Sequence, residues 1–223
     1  YFGAGVSDNK IVVLDLQSKT TLKEYSVPPN LNIYGINDYT IKDDGTFNIV
    51  TMFTTGDSDK FFSTTNGGAT WTKVYDGADD TNVLVNDAVM DPTNAQNLYV
   101  VRNGGPGTVD GGLLISKDGG TTWTEKLNGL ILQSIAINPQ NSNIIYVGSG
   151  VRWSYPTQHQ AVYKSTDGGL TWAEVTGITW STNQWGLLNV PVIEINPNNA
   201  NHMIVLADER VAVSNDAGAT WTT

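Results

Sequence analysis

The sequence predicts an all-β protein: a β-propeller of four-stranded antiparallel blades, with about five blades visible in 223 residues. Three observations carry this. An eight-residue box recurs four times at nearly constant spacing, a second motif built on Asn-Pro or Asp-Pro recurs three times between the boxes, and short apolar alternations flank both. Units of this length, each strand–turn–strand twice over, form radial arrays of small sheets.

The boxes read TTNGGATW, SKDGGTTW, STDGGLTW and SNDAGATW, beginning at Thr64, Ser116, Ser165 and Ser214. In each, the Asp or Asn (Asn66, Asp118, Asp167, Asp216) suits the acceptor of backbone N–H groups within a turn. The Gly at the fifth position (Gly68, Gly120, Gly169, Gly218) supplies positive φ. The closing Trp (Trp71, Trp123, Trp172, Trp221) lays an apolar ring over the hairpin. These twelve residues are expected to be structural. The upstream motif reads VMDPTNAQNLYVV, AINPQNSNIIYVG and EINPNNANHMIVL. Its Pro ends one apolar strand, and a polar turn leads into the next.

Each unit therefore holds strands A to D: A, the Asn-Pro turn, B, a variable loop, C, the box, D. Residues 30–77, 82–129, 131–177 and 180–223 form four such blades, and 1–27 a partial one reading B, C and D, with Leu16–Lys19 in place of a box. The whole chain is expected to be one propeller domain, either a five-bladed ring or an excerpt of a larger propeller. A start at Tyr1 fits a removed leader or an excerpt.

The box resembles the Asp-box, or BNR repeat, S-x-D-x-G-x-T-W. Joined to the Asn-Pro turn, it most resembles the xyloglucanase and sortilin-type propeller group, over about residues 30 to 223. That resemblance implies a propeller. Its members include hydrolases, receptors and assembly factors, so it implies no single activity.

Composition narrows the partners. A net charge of −10 and only twelve Lys and Arg argue against a nucleic-acid face and a basic membrane-binding face. With no Cys, disulfides, thiolate nucleophiles and Cys-bound zinc are ruled out. Nor is there an apolar run long enough to span a bilayer. No cofactor is expected. Calcium is the one ion that Asp57, Asp59, Asp76, Asp79 and Asp80 would suit, as clustered carboxylate oxygens.

The strand order places the A–B and C–D turns at one end of every blade, and the B–C loops and D-to-A connections at the other. The second end gathers the irregular segments, where function usually resides. It carries all three Arg (Arg102, Arg152, Arg210) and the three Trp outside the boxes (Trp153, Trp180, Trp185), with Asp110, Tyr155 and His159. Aromatic rings beside amides and carboxylates suit a sugar, whose C–H face stacks while its hydroxyls hydrogen-bond. These nine residues are the expected ligand face, and a polysaccharide or glycan the expected partner of an exported recognition module.

Two alternatives stand beside that reading. One is a glycoside hydrolase: resemblance to the xyloglucanases implies a catalytic Asp where strand B meets the B–C loop. Alignment on the Asn-Pro turn puts Asp208 there, with Asn103 and Gly150 at the matching places. The other is a structural subunit of an extracellular assembly, meeting protein neighbours through its edges. Three Arg on one face also invite a sialidase reading, but its Phe-Arg-Ile-Pro signature is absent.

Overall fold

The computed structural model describes residues 2–5, 10–15, 17–26, 35–42, 48–54, 59–64, 66, 68–76, 83–104, 111–150, 160–180, 189–208 and 210–223. All regular structure in them is β: eighteen strands in five antiparallel sheets. No helix is long and apolar enough to cross a membrane among these residues. The chain divides into two compact units, Tyr1–Asp79 and Asp80–Thr223.

The first unit holds two sheets. One is β1 (Phe2–Gly5), β2 (Lys10–Asp15) and β3 (Thr20–Ser26). The second is β4 (Gly35–Lys42), β5 (Asn48–Thr54), β6 (Asp59–Thr64) and β7 (Thr72–Asp76). Between β2 and β3 the chain turns through Gln17–Lys19, where Asp15 Oδ1 accepts the N–H of Gln17 and of Ser18. The first box joins β6 to β7. Its Gly68 has φ +86°, and its Trp71 indole donates to the Ser26 carbonyl at 2.8 Å.

Three sheets make up the second unit. They are β8 (Val83–Met90), β9 (Leu98–Gly104), β10 (Gly112–Ser116) and β11 (Thr124–Lys126); then β12 (Ile131–Ile137), β13 (Ile145–Gly150), β14 (Val162–Ser165) and β15 (Ala173–Glu174); then β16 (Val192–Ile195), β17 (Met203–Ala207) and β18 (Arg210–Ser214). Thr222 bridges to Val213 as the start of a fourth strand. Strands follow one another in simple up-and-down order within each sheet. Sheets stack through aliphatic faces: Tyr99, Val101, Leu113 and Ile115 meet Leu132, Ile135 and Val147 in one core cluster. Tyr146 and Val162 meet Val190, Ile193, Met203 and Val205 in the next. Such successive packing of four-stranded sheets is the blade architecture of a β-propeller.

The turn end is held by a repeated set of bonds. In the second box Ser116 Oγ donates to Asp118, the Gly120 N–H donates to Ser116 Oγ, and Thr122 gives both its N–H and its hydroxyl to the Asp118 carboxylate. The boxes at Ser165 and Ser214 repeat this atom for atom. In these three boxes the Trp indole N–H donates to the carbonyl of the fifth-position Gly. The Asn-Pro turns form a matching ladder: Asn138 Oδ1 accepts from the N–H of Gln140 and Asn141, and Asn141 Oδ1 from that of Asn143. One backbone bond then ties each Asn-Pro turn to the box of its own sheet: Gly119 N–H to Gln96 O, Gly168 N–H to Asn143 O, and Ala217 N–H to Asn201 O.

Neighbouring sheets are also tied across their junctions. Tyr146 OH and Lys164 Nζ both donate to the Ala217 carbonyl of the following box, at 2.8 and 3.1 Å. At the preceding junction Lys117 Nζ donates to Gly168 O at 3.1 Å and to Tyr99 OH at 2.7 Å, and Tyr99 OH reaches Gly168 O at 3.5 Å.

Candidate functional site

At the loop end, the most connected polar group lies where the sheet β12–β15 meets β16–β18. Asp208 follows β17, Asn189 precedes β16, and Gln160 precedes β14. The Asp208 carboxylate accepts the backbone N–H and the side-chain amide of Asn189 on one oxygen, each at 3.0 Å. Asp208 N–H returns a bond to Asn189 O at 3.0 Å, and Gln160 Nε2 donates to the same carbonyl at 2.7 Å. Three chain segments are thus pinned to one residue pair. Val190 N–H donates to Ser149 O, and Asn189 bridges to Gly150 across the junction.

The matching place in that sheet is Gly150, where a Cβ would lie 2.2 Å from Asn189 Oδ1, so a side chain there would have to displace the Asn189 amide from Asp208. Asn103, at the same place in β9, is buried at 5% exposure, and its Oδ1 has no hydrogen-bond partner. Gln160 is 3% exposed, and its Oε1 is likewise unpaired. An unpaired buried acceptor costs about 1–3 kcal/mol unless a donor reaches it. Both acceptors lie beneath the surface at the loop end.

Among the residues singled out from the sequence, Asp208 is half-buried in this network. Trp180 is half-buried and packs against the core cluster that contains Ile178 and Val190. Arg102 is buried, its guanidinium paired with Glu125 of β11 and donating to Gly111 O at 3.4 Å. Arg210 stands exposed at the start of β18. Asp110, Arg152, Trp153, Tyr155, His159 and Trp185 lie outside the described residues. Of the acidic positions weighed for calcium, Asp57, Asp79 and Asp80 also lie outside them, and Asp76 pairs with Lys60 and Lys73. No cluster of three or more metal-ligating side chains occurs among the described residues. Gln160 and Asn189 were not singled out in the sequence. Their only signal is position, as the last residues of the two longest irregular segments.

The turn end offers a different feature. A groove of about 350 Å³ runs between the third box with β15 and the following box, walled by Lys164, Thr171, Trp172 and Glu174. Lys164 donates to Ala217 O, so the lysine charge there is already engaged.

No family model matches the chain. A xyloglucanase of Hypocrea jecorina (strain QM6a) is 30% identical over 131 residues, covering 51% of this chain and 15% of that protein. The GH74 xyloglucanase from Xanthomonas campestris superposes with a TM-score of 0.62 at 16% identity, over 89% of this chain and 31% of that one. An ancestral GH74 enzyme gives 0.60 at 22% identity, over 87% and 25%. The chain thus spans less than a third of each of these proteins. The structural matches establish the β-propeller fold, and the sequence match relates it to a xyloglucanase.

Proposed function

We infer that this chain is an Asp-box propeller module of an exported, glycan-related protein, and that its loop end binds a polysaccharide. The box geometry supports the Asp-box assignment, since the Ser, Asp, Gly, Thr and Trp of the repeat each take part in the hydrogen bonds that close the turn. The observation that carries the binding reading is the acceptor-rich loop end. There Gln160 Oε1 is buried and unpaired, beside an Asp208–Asn189 pair that fixes the surrounding segments. Asn189 uses one oxygen of the half-buried Asp208 carboxylate, and the other is an acceptor of the right kind for a sugar hydroxyl. Similarity to a xyloglucanase favours a neutral glucan over an anionic polymer, and a net charge of −10 disfavours polyanions as well.

The test is affinity electrophoresis through gels containing neutral β-glucans or, separately, pectic polymers. Retardation by the neutral glucans is expected, weakened at least about tenfold in Asp208→Ala, which removes the acceptor. Equal migration in all gels would end the binding reading.

A second reading is favoured by the sequence match itself: a glycoside hydrolase propeller, with Asp208 as one carboxylate. Hydrolysis of a glycosidic bond takes two carboxyl groups across a cleft, and the candidates for the second one, Asp57, Asp79, Asp80 and Asp110, lie outside the described residues. Release of reducing ends from a β-glucan, abolished in Asp208→Asn, would establish it. Glucan binding without release would leave the binding module.

A further inference from the structure

We propose that the groove at the turn end, between β15 and the box beginning at Ser214, is a second binding site, for a neutral sugar of mono- or disaccharide size. The inference goes beyond the loop-end reading and does not rest on it.

The repeat supplies a comparison within the molecule. Both junctions of the second unit carry a groove here, bounded by the same positions of the repeat. At the earlier junction Leu170 and Lys126 are among its walls, and about 120 Å³ is open. At the later one Ala219 takes the place of Leu170 and Val175 that of Lys126, and about 350 Å³ is open. Val175 is drawn into the core cluster of its junction, whereas Leu170 is 64% exposed. Ligand clefts start at about 300 Å³, so one groove reaches that size and its neighbour does not. Every wall belongs to the second unit. No residue of β15 lines the earlier groove. Thr222 holds the matching place in the next sheet and likewise lines neither groove.

The walls select the ligand. Trp172 is half-buried: it packs against the core cluster of Tyr99 and Ile115, its indole N–H is held by Gly169 O at 3.0 Å, and it lines the groove. An indole pinned in this way is a rigid apolar platform, suited to the C–H face of a pyranose ring. Lys164 is fixed as well, its Nζ donating to Ala217 O and lying 5.2 Å from the centre of the Tyr146 ring. Its methylene stem therefore serves as wall. Glu174 is exposed on the edge strand β15, and a carboxylate offers about four acceptor positions to hydroxyl donors. Thr176 adds a hydroxyl. One lysine and one glutamate offset each other, whereas the earlier groove is lined by Lys117 and Lys126 without a carboxylate. An uncharged ligand with several hydroxyls and one apolar face matches this set of walls, and an ion does not.

The experiment is two-dimensional amide NMR of the full chain, titrated with cellobiose, xylobiose and lactose, with glucuronate as the charged comparison. Saturable shifts are expected at residues 171–176, at Gly218 and Ala219, and at the Trp172 indole N–H. At least one neutral disaccharide should produce them and glucuronate should not. Ala219→Leu gives this groove the side chain that the box at Ser165 carries in the same place, and should weaken binding at least about tenfold. Glu174→Ala, on an exposed edge, is the second variant and should weaken it severalfold. Asp208→Ala, which tests the loop end, should leave these shifts unchanged, so the two sites fail separately. Cooperative melting confirms that each variant is folded. No shift at the groove with any of the disaccharides would overturn the proposal. So would a response that survives both Ala219→Leu and Glu174→Ala, or one equally strong with glucuronate.

Discussion

At the scale of single residues, the box aspartates are the most constrained groups. Asp118, Asp167 and Asp216 each have their pKa lowered from 3.8 to about 2, first by the threonine hydroxyl bond, then by the threonine N–H and the serine hydroxyl. A carboxylate whose folded pKa is depressed adds stability that is fully present above its unfolded value and is lost as pH falls toward the folded one. The melting temperature should therefore hold above about pH 4 and drop between pH 4 and pH 2, as read by tryptophan fluorescence. Asp167→Asn should flatten that drop at little cost at neutral pH. The first box shows how: Asn66 accepts the Thr70 N–H on Oδ1 and donates Nδ2 to the Thr70 hydroxyl. Asp167→Ala, which can do neither, should melt earlier at every pH. The Asp as acceptor of turn N–H groups was legible in the sequence, because four copies of the same box disclose which positions the turn requires, whereas the threonine and serine hydroxyl bonds to it were not. Asp208 is the opposite case. Its partner Asn189 is joined to it through a tertiary junction and occurs in no repeat copy, so the pattern that exposed the boxes could not expose the pair.

At the scale of elements, the sheets are sewn together at their turn ends by ties from one blade to the next box. Tyr146→Phe removes one of the two donors on Ala217 O, and Tyr99→Phe removes the hydroxyl that Lys117 binds. Each should lower unfolding free energy by about 1 kcal/mol in urea titration, with the slope unchanged. Burial raises the pKa of the Tyr99 phenol, with a smaller push from Asp91, so it stays a neutral donor throughout the working range. Strand positions followed from the alternation of apolar residues and from the two turn motifs. The ties did not, since a Tyr in an apolar strand reads as core until the neighbouring box carbonyl is in view. The irregularities also escaped: β4, β8 and β12 each carry a shift in register near their start. In β8 the shift lies between Val85 and Asp87, and there Asn86 Nδ2 donates to Leu132 O of the next sheet.

At the scale of the molecule, burial within the second unit is concentrated in its middle strands. β10 and β13 are buried along their whole length, whereas β11 and β15 are short and mostly exposed. Amide hydrogen exchange should accordingly be slowest in β9, β10 and β13 and fast in β11 and β15, a gradient running from the inner pairs to the outer strand of each sheet. A uniform rate across the four strands would contradict the core assignment. The backbone bond between each Asn-Pro turn and its box has a further consequence. With the two turns buckled together, that end of the sheets β8–β11, β12–β15 and β16–β18 has a fixed chain length, while the other can gain or lose residues without disturbing it. The connections bear this out: β17 and β18 are separated only by residues 208 and 209, β13 and β14 by residues 151–161. In these three sheets insertions and deletions can accumulate at the loop end alone, so new specificities can be tried there while the turn end keeps time for the repeat.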